Sequence, residues 1–421
     1  MEISPIIRDQ KQELEERKLR LNVVPREAEE YFKNLLSSKL IKVILGVRRC
    51  GKSVLSHSLL KDKLFAYANF DDERLKGVEA NSVLAAFYEV YGKEFKFIFL
   101  DEIQNLDNWE LFANRLQRVG FNVIITGSNA QLLSKELATH LTGRHLPLEL
   151  FPFSFKEYLT AVDFQEDIGT TKGISLLRQE LSKYLSSGGF PEVIVEKENP
   201  SLYLQELYRK IIERDILERH EISYKKTFRE IARTLISNPG RGISYNRIKN
   251  QFQLGSEHTV KNYLSYLEEA YLLFFLSRFS FKPVEVEKSE KKVYAIDAGM
   301  IRCMSLGMTP DLGQIYENTV YLELLRRKSL SPLSDIFYWK NILQEEVDFV
   351  IKENLKIKML MQVCYNLSSP EVKEREVRAL IKASKELKCE TLLVITSDYE
   401  AEEKTGGAII KFIPLWRWLV T

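Results

Sequence analysis

The sequence predicts an α/β protein with a parallel sheet around a glycine-bounded loop, a helical section, and a second α/β unit at the C-terminal end. Three observations carry this. From residue 40, short apolar runs ("LIKVILG", "KLFAYANF", "FKFIFLDE", "FNVIITGS", "RHLPLEL") alternate with longer amphipathic stretches, the pattern of strands buried on both faces by helices. The first run ends in "GVRRCGKS", a loop pattern that belongs between a strand and a helix. From about 293 a second set of runs follows: "KVYAID", "DIFYW", "VDFVIK", "KMLMQVCY", "TLLVIT" and "AIIKFI".

Bulk properties bound the rest. At 421 residues the chain exceeds what one core serves, so several domains are expected. With 61 Lys+Arg against 59 Asp+Glu the net charge is +2, so binding to nucleic acid requires a local basic face. Cys50, Cys303, Cys364 and Cys389 show neither zinc nor disulfide spacing, which fits a reducing compartment. The longest apolar run, "AYLLFFL", is too short to span a bilayer, so no membrane partner is expected. "MEISPIIRDQKQELEERK" turns charged at once, so no secretory leader is expected and the cytoplasm is the expected location.

Residues 1–38 read as a solvated helical lead-in. In the loop that follows, glycines let the backbone turn its N–H groups inward as an anion nest backed by a helix N-terminus. Gly46, Arg48, Arg49, Cys50 and Gly51, with Lys52, Ser53 and Val54, are therefore expected to hold a nucleotide's phosphates. Lys52 would reach the β/γ-phosphates, and the Ser53 hydroxyl would ligate Mg²⁺. Asp101 and Glu102 close an apolar strand some fifty residues on. That position suits Asp101 for the Mg²⁺ shell and Glu102 for activating water. Ser128 and Asn129 end the next strand and are candidates for contact with the γ-phosphate or the water. Arg144, just before "HLPLEL", reads either as a finger acting on a neighbouring subunit's phosphates or as a surface arginine at a helix end.

Residues 151–220 are helical in pattern. Then "KTFREIARTLISN", "ISYNRIKNQFQ" and "SEHTVKNYLSYLEEAYLLFFL", with Ser256 as N-cap, give helix, helix and capped helix before the strand-like "YLLFFLSRFSF". That is the grammar of a winged helix-turn-helix, expected over 223–285. The first turns of its last helix place His258, Thr259, Lys261 and Asn262 for base contact, with Arg241, Arg247 and Lys249 for phosphates. Glu257, Glu268 and Glu269 dilute this face, and a packing or lid role is the alternative.

Taken together, the loop, the acidic pair and the polar strand end resemble an AAA-type P-loop ATPase. The chain is similar, over about 40–420, to a widespread archaeal and bacterial family joining such an ATPase to a winged helix and a C-terminal domain of unknown function. "ILGVRRCGKS", "LDEIQN", "ITGSNAQLLS", "LTGRHLPLELFPFSFKEYL", "GGFPEVI", "TVKNYLSYLEEAYLLF", "VYAIDAGM", "YENTVYLELLRR" and "EVDFV" carry the resemblance. It implies an ATPase core (39–160), a helical lid (161–222), ATP and Mg²⁺ as ligands, and a homo-oligomer with sites between subunits.

The last part (290–421) resembles the restriction-endonuclease-like fold, whose site needs a helix acid, an Asp at a strand end and a [DE]-x-K strand. Here Glu317 or Glu323 would be the helix acid, Asp348 the strand acid, and "MQVCYN" puts Gln362 and Cys364 where Glu and Lys belong. The resemblance therefore implies a fold retained with its cleavage chemistry lost. The resulting expectation is an oligomeric ATPase that binds or remodels DNA. Its rivals are an ATP-dependent nuclease using Lys356 or Lys358, and a remodeller or scaffold with a protein client.

Overall fold

The computed structural model describes residues 2–20, 23–129, 145–305, 311–367 and 369–421. The chain divides into two compact units: residues 1–153 with 269–271, and residues 154–268 with 272–421.

In the first unit β1 (Ile41–Leu45), β2 (Phe65–Asn69), β3 (Phe97–Asp101), β4 (Asn122–Gly127) and β5 (His145–Glu149) form one sheet in the order β2-β3-β4-β1-β5. Every pairing is parallel. The five apolar runs thus form the expected strands, and β1 is buried along its whole length. Lys42 sits inside that strand, where its ammonium donates to Asn122 Oδ1 at 3.2 Å and to the Ser38 carbonyl. Its long apolar stem is what lets a lysine occupy the middle of a core strand.

The N-terminal helix Ser4–Arg20 corrects the expectation of a solvated lead-in, because Ile6, Ile7, Gln10 and Leu14 are buried. Gln10 behaves as an extra strand residue beside the sheet edge. Its Oε1 accepts from Asn69 N at 2.9 Å, and its Nε2 donates to Asn69 O at 3.1 Å. The open backbone at the end of edge strand β2 is thereby satisfied.

The second unit contains the helices Thr171–Ser187, Pro200–Lys210, Lys225–Ile236, Tyr245–Gln251, Glu257–Glu269 and Ala298–Met304, among others. Ser256 caps the fifth of these, accepting from Thr259 N at 3.1 Å. Strands β6 (Gly242–Ile243), β7 (Leu273–Leu276) and β8 (Lys291–Ala295) form an antiparallel sheet ordered β6-β8-β7. "KVYAID" was expected to open the C-terminal α/β unit and instead pairs with β6 and β7. A short apolar run does not encode its sheet partner, and the charged stretch before it reads as a linker.

The remaining strands are β9 (Ser334–Lys340), β10 (Glu346–Glu353), β11 (Lys356–Cys364), β12 (Leu392–Thr396), β13 (Ala401–Thr405) and β14 (Ala408–Pro414). They form a mixed sheet ordered β13-β14-β12-β11-β10-β9. β11–β12 and β12–β14 are parallel and the other pairs antiparallel. Helix Pro370–Leu387 covers it through Val377, Leu380 and Ala383.

Distant sequence motifs meet in this unit. Asp297 accepts from Met300 N at 3.0 Å, capping helix Ala298–Met304, and from Gly189 N at 2.7 Å. "GGFPEVI" and "VYAIDAGM" are therefore two halves of one clasp. Gly188 has φ +80°, and a Cβ there would stand 2.0 Å from Asp297 Oδ1. Asn318, fully buried, grips the Ala295 backbone with both ends of its amide at 2.8 and 3.0 Å. We expect Gly188→Ala to cost about 1–3 kcal/mol from the backbone alone, with the clash added. Urea denaturation of the full chain measures this, and an unchanged midpoint would contradict the clasp.

Candidate functional site

The loop 46–51 joins β1 to helix Lys52–Leu59. Its backbone takes three left-handed or related turns: Gly46 at φ +153°, Arg49 at +68° and Gly51 at +101°. A side chain at Gly46 has no room, since a Cβ would lie 2.1 Å from Leu150 O and 2.9 Å from Cys50 Sγ. Cys50 is a buried packing residue. Arg26 buttresses the loop from outside, donating to Cys50 O at 2.9 Å and to Phe151 O at 2.6 Å. Nothing in its local sequence marks it for that task.

Strand order assembles the rest. Because β4 lies between β1 and β3, the ends of all three strands converge at one edge. Ser53 Oγ donates to Asp101 Oδ1 at 3.0 Å, Tyr67 OH to Asp101 Oδ2 at 3.3 Å, and Thr126 Oγ1 to Asp101 Oδ1. Thr126 Oγ1 also accepts from Glu102 N at 3.0 Å, anchoring a residue whose φ of +50° is costly for a side-chain-bearing residue. Lys52 Nζ lies 3.4 Å from Glu102 Oε1 and donates to the carbonyls of Gly46 at 3.1 Å and Val47 at 3.2 Å. Gln104 Nε2 holds the other oxygen of Glu102 at 2.5 Å and stands 3.4 Å from Ser128 Oγ. Ser128 and Asn129 are both buried. Arg48 pairs with Asp71 at 3.3 Å. Val54 lines a cavity of about 920 Å³ together with Pro25, Arg26, His57, Tyr67 and Asp72. Arg144 lies outside the described residues.

The electrostatics separate the two adjacent acids. Burial, and then the charge of Glu102, push Asp101 up to about 6. Burial works most strongly to raise Glu102, but the Lys52 ammonium, the Gln104 hydrogen bond and the charge of Arg48 together outweigh it and hold that carboxylate down to about 2. Lys52 is raised, because Glu102 and its neighbours more than offset the burial that disfavours its charge. Ser53 and Asp101 present hard oxygens to one point, and they fit a Mg²⁺ ion.

A family model described as an AAA domain matches residues 38–159. Two others, each described as a domain of unknown function (DUF8612 and DUF4143), match 178–312 and 312–418. The uncharacterized protein MJ1544 of Methanocaldococcus jannaschii is 39% identical over 402 residues, covering 90% of this chain and 88% of that protein. The chain belongs to the family of that archaeal protein. A second member, from Haemophilus influenzae, is 29% identical over 411 residues, covering 92% of this chain and 97% of its own. Among solved structures, the Walker-type ATPase PABY2304 of Pyrococcus abyssi aligns with a TM-score of 0.45 at 14% identity, covering 68% and 97% of the two chains. The AAA-domain match spans the segment that holds the loop 46–53 and the acidic pair.

The second unit gathers other residues singled out in the sequence. Asp348 N donates to Gln362 Oε1 at 3.1 Å, and Asp348 Oδ2 accepts from Val363 N at 3.0 Å. Glu317 faces Asp348 across the ammonium of Lys292, a residue that sequence reasoning passed over. Glu323 instead pairs with Arg327 at 2.9 Å. Lys356 is exposed and Lys358 pairs with Glu353, so neither reaches this centre. Cys364 packs in the sheet's apolar core, and burial pushes its thiol up to about 11. Arg241, Arg247, His258 and Lys261 are exposed; Lys249, Thr259 and Asn262 are half-buried. Lys261 lies over the Tyr245 ring at 5.3 Å.

Thr126 is the shared joint of the acidic pair. Thr126→Val keeps its shape but strips a donor and an acceptor from two buried groups. The expected loss is about 1–3 kcal/mol, mostly recovered in Thr126→Ser. Denaturant titration of the three proteins checks this, and a Val variant as stable as the parent would show the hydroxyl to be idle.

Proposed function

We propose that the chain hydrolyses ATP as a self-associating AAA-type protein and couples its nucleotide state to holding DNA. The observation that carries this reading is the 3.4 Å approach of Lys52 to Glu102, the phosphate-seeking cation and the candidate base in mutual contact. The loop N–H groups and helix N-terminus receive the phosphates, and the 920 Å³ cavity beside Val54 receives base and ribose. Lys52 exchanges Glu102 for the β/γ-phosphate oxygens. Glu102 then loses the charge that holds its carboxyl down, becomes more basic, and takes a proton from the attacking water. Gln104 and Ser128 fix its orientation, and Thr126 fixes its backbone. Ser53 and Asp101 are the residues to hold Mg²⁺, which supplies charge neutralisation at the phosphates. Arg144 is the proposed finger acting on a neighbouring subunit.

For the second unit we propose a winged helix followed by a restriction-endonuclease-like sheet that binds without cutting. Three helices with the small sheet β6-β8-β7 support the first part, with exposed Arg241, Arg247, His258 and Lys261 as the DNA face. The second rests on Gln362, whose carbonyl is spent on Asp348 N, and on Cys364, whose buried thiol stays neutral.

The turnover assay separates these elements. Lys52→Ala should lose ATP binding, whereas Glu102→Gln should bind ATP and turn over at least about a hundredfold more slowly. Arg144→Ala should bind normally, turn over slowly, and recover activity when mixed with Lys52→Ala protein. Wild-type turnover in Glu102→Gln would remove Glu102 from the role given it.

The same assay with single-stranded, duplex and branched DNA tests the partner. Several-fold stimulation by one form, lost in Lys261→Ala, is expected. No response to any form would favour a protein client.

A further inference from the structure

Lys292 is the feature of the second unit that no role above absorbs. It lies in β8, yet it is 3% exposed. Its ammonium meets three carboxylate oxygens at once: Glu317 Oε1 at 2.8 Å, Asp348 Oδ1 at 2.8 Å and Glu346 Oε1 at 2.6 Å. These come from helix Leu312–Leu330 and from β10, so a residue of the small sheet is seated in the acidic centre of the large one. Each carboxylate is also held by the protein around it. Tyr294 OH donates to Glu317 Oε1 at 2.7 Å, Val363 N to Asp348 Oδ2 at 3.0 Å, and Lys340 stands 3.5 Å from Glu346 Oε2. Gly240 closes the side facing Glu317, where a Cβ would lie 2.7 Å from Glu317 Oε2.

Three convergent carboxylates without a cation repel one another and lose hydration on burial, a cost that a single charge at their focus offsets. Divalent cations ordinarily fill such oxygen sites. Here the charge is part of the chain. We propose that Lys292 is a built-in cation that closes the acidic centre of the six-stranded sheet and locks the three-stranded sheet onto it. The centre takes no divalent ion while β8 is seated, and it gains affinity for one when the ammonium is removed. This inference stands apart from the ATPase reading and from the nuclease-like comparison, since it rests on the packing of β8 against β10 and helix Leu312–Leu330.

The test uses nucleotide-free full-length protein and Mn²⁺ as the probe. Lys292→Ala should lower the unfolding temperature of the second unit by about 5–10 °C, because breaking a buried pair leaves charges uncompensated. Millimolar Mn²⁺ should restore much of that shift and add one bound Mn²⁺ by electron paramagnetic resonance. It should do neither in wild type or in Lys292→Ala/Asp348→Asn. A Lys292→Ala protein as stable as wild type, or one that Mn²⁺ neither stabilises nor binds, would overturn the proposal. If Lys292→Ala is insoluble, the triple variant Lys292→Met/Glu346→Gln/Asp348→Asn removes the unbalanced charge and should fold without responding to Mn²⁺. Failure of the triple variant to fold would also overturn it.

Discussion

One buried carboxylate organises the first unit. Asp101 is 3% exposed, and an acid in that position requires donors on both oxygens. They come from three separate elements: Ser53 at the start of the P-loop helix, Tyr67 in β2 and Thr126 in β4. Satisfying Asp101 therefore registers β2, β3, β4 and the P-loop helix against one another. The same hydroxyl of Thr126 then pins Glu102 in a left-handed turn, which turns its side chain onto Lys52. Satisfying one acid thus positions another, and their protonation diverges, with Asp101 up near 6 and Glu102 down near 2.

The second unit solves the same physical problem twice more. Asp297 is buried and pushed up to about 6 by that burial, and its backbone donors come from Gly189 and Met300. The glycines at 188 and 299 leave space for the contact. In the acidic centre, burial and the charge of Asp348 push Glu317 up to about 7, while Lys292 is held well above the ordinary lysine range. Asp101, Asp297 and Lys292 each sit where separate segments are joined. Conformational specificity explains that distribution better than stability does, because buried ion pairs return little net energy.

The parts of the site that lie close together in sequence were legible there. Gly46 to Ser53 is a local pattern with a local geometric consequence, and Asp101–Glu102 announce themselves by closing an apolar strand. Thr126, Tyr67 and Gln104 were not legible as partners of the acids, because that follows from strand order, which no spacing encodes. The buried face of the N-terminal helix is hidden in the sequence for a different reason. Its charge density hid Ile6, Ile7, Gln10 and Leu14, which recur at helical spacing and mark one buried face. Lys292 offered the least signal, since in "EKKVYAID" it resembles the last residue of a charged linker. A lysine's burial is a property of what packs on it. Reading 290 as the opening of a new domain also hid that β8 belongs to the sheet before it.

The proposed mechanism turns on an exchange: Lys52 holds Glu102 until phosphates claim it. A crystal structure with a non-hydrolysable ATP analogue and Mg²⁺ tests this most directly. Lys52 Nζ should leave Glu102 and lie within hydrogen-bond distance of the β- and γ-phosphate oxygens, with Ser53 and Asp101 facing the metal and Glu102 turned to a water. A bound analogue with Lys52 still paired to Glu102, or with the phosphates away from the loop 46–53, would contradict it.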